Sequence, residues 1–183
     1  ALLLRRIHGS SKVISIKRVL ACLILGLAAA SPAHAGEIFG GLYFHDVKTF
    51  VTPDSGNERG VDVHLGWRGD PLTSWKLQPH AFVSANTAGR THYAAVGISR
   101  KFGNKVYIRP GIGVAIHTGS TRQFLIPGNN HVEFGSRVLF EPELAVGTQV
   151  NDRISIEASW VHLSHAMLAG SHKPGIDNLG VRL

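Results

Sequence analysis

Two side chains near the end of the chain have the types and the spacing of a nucleophile and its base. His162 and Ser164 lie two residues apart at the end of an alternating segment, residues 154–164. If this segment is a strand, both side chains leave the same face, because strand side chains alternate between faces. Their Cβ atoms then lie about 6–7 Å apart, so the imidazole can reach the hydroxyl. A serine needs such a base to act as a nucleophile.

The base of such a pair needs an acid that orients its ring, and Asp177 is the candidate. It lies on the apolar face of the last alternating segment, residues 176–183, which we expect to pair with the segment of His162. The nearby acids of opposite parity face away: Glu141, Glu143 and Glu157. The pattern favours a triad of Ser164, His162 and Asp177. Polar residues at a strand rim and an Asp-Asn turn give the same residue types, and this alternative stays open.

No window after residue 36 shows a helical period, and eight short alternating segments recur there instead. They are residues 37–46, 59–68, 75–85, 91–101, 106–117, 134–150, 154–164 and 176–183. Such a series predicts an all-β fold, an eight-stranded closed antiparallel barrel. Pro79, Pro110 and Pro142 fall inside segments, where each predicts a lost ladder donor and a bulge or kink.

The two faces of these segments differ in polarity. One face is apolar, and the other holds glycines, small residues and charges of both signs: Arg109, Arg137, Glu141, Glu143 and Glu157. Ion pairs and water can satisfy such an interior while the apolar face meets lipid, as in outer-membrane barrels. Short connections alternate with longer ones, which is also typical of that class. A soluble lipocalin-like carrier has the same alternation with the faces inverted, and it remains an alternative.

Residues 1–35 have the pattern of a secretory signal peptide, with cleavage expected before Gly36. Basic residues precede an apolar run, residues 19–30, and Ala33-His34-Ala35 supplies the small residues of a cleavage site. A short membrane anchor is the alternative for this run. The signal peptide would leave residues 36–183 as a single barrel domain.

The net charge of +7 gives little reason to expect a nucleic-acid partner. Residues 1–35 hold five basic groups and no acid, so the remaining chain has 14 basic and 12 acidic residues. The single cysteine, Cys22, also lies in the expected signal peptide. The 11 histidines show no metal-ligand spacing, so we expect neither a metal site nor a cofactor.

The sequence Trp-Val-His-Leu-Ser-His-Ala at 160–166, followed by Lys-Pro-Gly-Ile-Asp at 173–177, resembles the C-terminal motif of the PagL-type lipid A 3-O-deacylases. The resemblance is specific over residues 160–183, and elsewhere it extends only to the barrel architecture. In this family of outer-membrane acyloxyacyl hydrolases, the matching residues form a Ser-His-Glu triad. The resemblance therefore implies that Ser164 is the nucleophile, His162 the general base and Asp177 the orienting acid. Asp177 stands in place of the usual Glu, and His165 in place of the common Asn.

The resemblance also implies a location and a substrate. The protein would be an esterase of the bacterial outer membrane that hydrolyses the 3-O-linked acyl chain of lipid A in lipopolysaccharide. It would need no cofactor, and a homodimer is compatible with it. A non-enzymatic eight-stranded barrel, serving as a structural protein, an adhesin or a small channel, has the same architecture and is the alternative function.

Overall fold

The structure, a computed structural model, describes residues 36–53, 55–122, 129–165 and 175–183. The expected signal peptide, residues 1–35, lies outside the described residues. The strands are β1 (Glu37–Phe44), β2 (Val61–Arg68), β3 (Gln78–Asn86), β4 (Tyr93–Ser99), β5 (Phe102–Gly103), β6 (Val106–His117), β7 (Val138–Gln149), β8 (Ser155–Ser164) and β9 (Gly175–Arg182). No helix in the described ranges is long and apolar enough to cross a membrane.

The strands form one antiparallel sheet that closes on itself. β1 pairs with β2 and with β9, the order continues to β4 on one side and to β6 on the other, and β4 pairs with β6. The two-residue strand β5 continues the line of β4 along β6. The closed sheet therefore has eight long strands, which confirms the predicted barrel.

The three prolines remove ladder donors but do not shift the register. At Pro110 the carbonyl accepts a 3.0 Å hydrogen bond from the Arg100 N–H, but the ring has no N–H to return. The ladder breaks there between β4 and β5 and resumes in the same register. The register is continuous through Pro79, and the β7–β8 ladder lacks a pair at Pro142 but resumes in the same register. Of the predicted bulge or kink, the bulge is therefore wrong at these positions, because none of the strands gains a residue.

The apolar face of every long strand points away from the barrel. Its members, one from each strand in order, include Ile38, Leu65, Val83, Val96, Ile112, Leu144, Ile156 and Val181, which are 40–56% exposed. This is the inverse of a lipocalin, whose apolar residues face a ligand inside the barrel. Closing the sheet in this way presents an apolar belt to the surroundings, as an outer-membrane barrel does.

The inward face carries charged side chains that neutralise one another, next to a buried cluster of apolar and aromatic side chains. Arg182 contacts Glu157 at 2.5 Å and Glu143 at 2.8 Å, and Arg109 contacts Glu157 at 3.0 Å. Arg137 does not belong to this interior, contrary to the prediction. It lies before β7, is exposed, and donates to the carbonyls of His117 and Gly119.

Candidate active site

The register of β8 and β9 sets His162 directly opposite Asp177. The two side chains are buried, and His162 Nδ1 lies 2.7 Å from Asp177 Oδ1. A carboxylate oxygen can only accept, so Nδ1 carries the proton of this hydrogen bond. In the neutral ring Nε2 is then the acceptor, which is the form that a general base requires.

Ser164 lies one step further along the same face. It is half-buried and stands opposite Gly175 in the register. A Cβ atom placed on Gly175 would lie 3.1 Å from His162 Cε1 and 3.2 Å from Ser164 Cβ. The imidazole edge and the serine side chain therefore border the same small space, which glycine leaves open.

Within the described parts of the chain, the His162 ring hydrogen-bonds to Asp177 and has no hydrogen bond to Ser164. Such contacts are often long in a free enzyme and shorten when substrate binds. The structure thus brings His162 and Asp177 into contact and sets Ser164 beside them. The acids of opposite parity, Glu141, Glu143 and Glu157, lie in the interior, apart from His162, as predicted.

Asp177 is held by more donors than the sequence suggested. Trp160 Nε1 donates to Oδ1 at 3.0 Å, beside the contact from His162. Thr52 Oγ1 donates to Oδ2 at 2.6 Å, and the Thr49 hydroxyl donates to the same oxygen. Parity pointed to Trp160, which shares the face of His162, but no spacing connects the threonines to β9.

The Trp160 ring also packs against the base. Its centroid lies 5.8 Å from that of His162, with 23° between the ring planes. The indole thus lies beside the imidazole and nearly parallel to it, while its N–H donates to the Asp177 carboxylate.

The two threonines belong to the loop between β1 and β2, residues 45–60, which is anchored by buried charges. His45 lies between two acids, with Nδ1 2.9 Å from Asp62 and Nε2 3.0 Å from Glu58. Burial opposes the imidazolium charge, but these hydrogen bonds outweigh it and raise the pKa of His45 to about 9.

Glu58 ties this loop to its neighbours. Burial favours its neutral form, but hydrogen bonds from His45 and from the backbone N–H groups of Thr91 and Val132 lower its pKa to about 2. Those N–H groups belong to the connections between β3 and β4 and between β6 and β7. One carboxylate therefore joins three loops at the rim that holds the candidate active site.

The chain is similar to a known enzyme family and to solved structures of outer membrane proteins. A family model described as Lipid A 3-O-deacylase (PagL) matches residues 50–183. The crystal structure of the outer membrane enzyme PagL is 21% identical, with a TM-score of 0.58, and the match covers 79% of this chain and 95% of that one. This likeness supports the barrel fold.

A second solved structure, the Yersinia pestis outer membrane protein Ail in a phospholipid bilayer nanodisc, is 13% identical, and the match covers 80% of this chain and 97% of that one. Its TM-score of 0.41 is too low to support a conclusion. A search of curated protein sequences found no match. Because the family model covers well over half of the sequence and includes Ser164, His162 and Asp177, this chain belongs to the lipid A 3-O-deacylase (PagL) family of ester hydrolases.

Proposed function

We propose that the protein hydrolyses the 3-O-linked acyl chain of lipid A with Ser164 as nucleophile, His162 as general base and Asp177 as orienting acid. The observation that carries the triad is the 2.7 Å contact between His162 Nδ1 and Asp177 Oδ1 on the outward face, beside Ser164. Family membership supplies the substrate class.

In the first half of the reaction, Ser164 Oγ attacks the ester carbonyl while His162 Nε2 takes its proton. The tetrahedral intermediate collapses, and His162 returns the proton to the departing sugar oxygen. The fatty acyl group is then bound to Ser164 as an ester. Asp177 stays ionised throughout, stabilises the imidazolium and keeps Nδ1 as the protonated nitrogen.

In the second half, water takes the place of the serine. His162 removes a proton from the water as it attacks the acyl-enzyme carbonyl, and then protonates Ser164 Oγ as the bond breaks. The free 3-hydroxy fatty acid leaves, and the three side chains return to their starting states. The chemistry uses these side chains and water.

The position of the site suits a lipid substrate. Ser164 and Asp177 lie on the outward face where β8 ends and β9 begins, at the rim with the longer connections. We infer that this rim faces the outer leaflet, where lipid A presents its acyl chains to the barrel wall. A homodimer stays a prediction.

The barrel interior bears on the non-enzymatic alternative. Among the described residues, Arg68, Arg109 and Arg182 are fully buried within the barrel and paired with acids, which argues against a small-solute channel. A structural protein or an adhesin would tolerate replacement of Ser164.

The test is mass spectrometry of lipid A from cells that express the wild type, Ser164→Ala or Ser159→Ala. Ser159 lies on the same strand but faces the interior and is buried, so it is the matched control. We expect the wild type and Ser159→Ala to remove one 3-hydroxyacyl group, and Ser164→Ala to remove none. Unmodified lipid A with the wild type, or deacylation by Ser164→Ala, would overturn the proposal.

A further inference from the structure

We propose that Thr49 and Thr52 are positioning residues of the active site. Their hydroxyls hold Oδ2 of Asp177, so that Oδ1 is directed at His162. This inference rests on the proposed function, because Asp177, which the threonines support, is the acid of the proposed triad. The support comes from residues 128 and 125 positions away in the sequence.

The hydrogen bonds divide the Asp177 carboxylate into two halves. Oδ1 accepts from His162 and Trp160, and Oδ2 accepts from Thr49 and Thr52. Asp177 is fully buried, so the threonine hydroxyls take the place of water at Oδ2. Without them the carboxylate has an unsatisfied oxygen, and rotation about its Cβ–Cγ bond competes with the alignment to His162.

The Thr49 hydroxyl has one proton, and its surroundings direct that proton at Asp177. Its oxygen accepts from the backbone N–H groups of Val51 at 3.0 Å and Thr52 at 3.3 Å. These are donors, so the hydroxyl's own proton is left for the carboxylate. The local turn therefore preorients Thr49 as a donor to Asp177.

The same loop also hydrogen-bonds to the backbone of β9, at Asp177 and at Gly175. Val47 N–H donates to the Asp177 carbonyl at 2.8 Å, and Ser55 Oγ donates to the Gly175 carbonyl at 3.3 Å. Phe50, between the two threonines, points away from the barrel and is 97% exposed. The loop thus turns its hydroxyls toward the acid and its apolar tip outward.

The experiment measures kcat and KM for fatty acid release from lipopolysaccharide in detergent micelles. Thr49→Val and Thr52→Val keep the side-chain shape and remove the hydroxyl. We expect kcat to fall about tenfold or more for each, as for a lost hydrogen bond to a charged group, and KM to stay within about twofold because substrate contacts are unchanged. Thr49→Ser and Thr52→Ser keep the hydroxyl and should restore kcat.

Thr87→Val is the matched control, because the Thr87 hydroxyl accepts from Val61 N–H in another connection at the same rim. It should keep the wild-type kcat. If either valine does not fit the loop, Thr49→Ala and Thr52→Ala only remove atoms and carry the same expectation. The folded state is checked by heat-modifiable gel migration.

The outcomes separate this inference from the proposed function. Wild-type kcat in both valine variants, or serine variants as slow as the valines, overturns the positioning role while an inactive Ser164→Ala still supports the triad. An active Ser164→Ala overturns the triad itself, whatever the threonine variants do.

Discussion

Asp177 and Glu157 are acids of neighbouring strands with opposite environments. Asp177 accepts from uncharged donors and the imidazole on the outward face, whereas Glu157 contacts Arg68, Arg109 and Arg182 inside the barrel. The alternation of side chains along the strands was enough to assign the two acids to opposite faces from the sequence alone. The difference predicts that the two acids affect different properties of the protein.

Asp177→Asn should lower kcat with little change in KM. The amide keeps the volume of the acid but loses its charge, and its NH₂ must face either the proton on His162 Nδ1 or the threonine hydroxyls. Loss of the orienting carboxylate disfavours the imidazole tautomer that accepts a proton, and in a serine protease triad the same change lowers kcat about 10⁴-fold. Initial rates of fatty acid release from lipopolysaccharide measure the effect.

Glu157→Gln is the control for that variant. It leaves buried arginines with one acid fewer, and breaking a buried ion pair costs about 3–5 kcal/mol of stability. The folded fraction should keep the wild-type kcat while the midpoint of thermal unfolding falls. A larger loss of kcat in Glu157→Gln than in Asp177→Asn would contradict the assignment of the acid.

At the scale of elements, alternation predicted the strands well because lipid and a charged interior impose opposite polarities. The segment 106–117 coincides with β6, and 154–164 is one residue longer than β8. The segment 75–85 begins too early, since Leu72 and Leu77 close a turn before β3 starts. The contact of the β1–β2 loop with Asp177 could not be predicted, because it joins residues distant in sequence and follows no period.

Gly175 has no side chain, which allows β8 and β9 to approach closely at the candidate active site. A Cβ atom there would lie 2.8 Å from the Leu163 carbonyl oxygen, 3.1 Å from His162 Cε1 and 3.2 Å from Ser164 Cβ. The backbone oxygen cannot yield without moving β8, so Gly175→Ala should displace Ser164 from His162.

We expect Gly175→Ala to fold and to lose most of its activity, since a 1 Å misplacement can cost about 100-fold in rate. Labelling of Ser164 by a fluorophosphonate probe would measure the loss without lipid substrate. Gly135→Ala provides a control at the same rim, since its nearest contacts are no closer than 3.9 Å, though its φ of +75° will cost some stability. Equal labelling rates in Gly175→Ala and the wild type would refute the close approach.

At the scale of the whole molecule, the buried group of His45, Glu58 and Asp62 couples the connections at the rim of the candidate active site to the barrel. Glu58 accepts from three loops, and His131 Nδ1 lies 3.8 Å from it as a further basic neighbour. His45 and Glu58 are both charged near neutral pH, and each stabilises the other's charge. The free energy of unfolding must therefore depend on pH through both groups.

The pKa of His45 is raised from 6.5 to about 9 in the folded protein. Its contribution is complete below pH 6.5 and is lost as the pH rises toward 9, because the unfolded chain releases the proton first. The pKa of Glu58 is lowered from 4.5 to about 2, so its contribution is complete above pH 4.5 and is lost as the pH falls toward 2. Stability should be greatest between pH 4.5 and 6.5.

Between pH 6.5 and 9 we expect the midpoint of heat-induced unfolding in detergent to fall, reflecting a loss on the order of 3 kcal/mol for a shift of this size. His45→Gln should have a lower midpoint at pH 6 and a flat profile from pH 6.5 to 9, because the group that titrates is gone. His92→Gln, which replaces a histidine between β3 and β4, should keep the wild-type slope. A midpoint that rises over this range in the wild type, or a slope that persists in His45→Gln, would show that the stability of the barrel does not depend on this group.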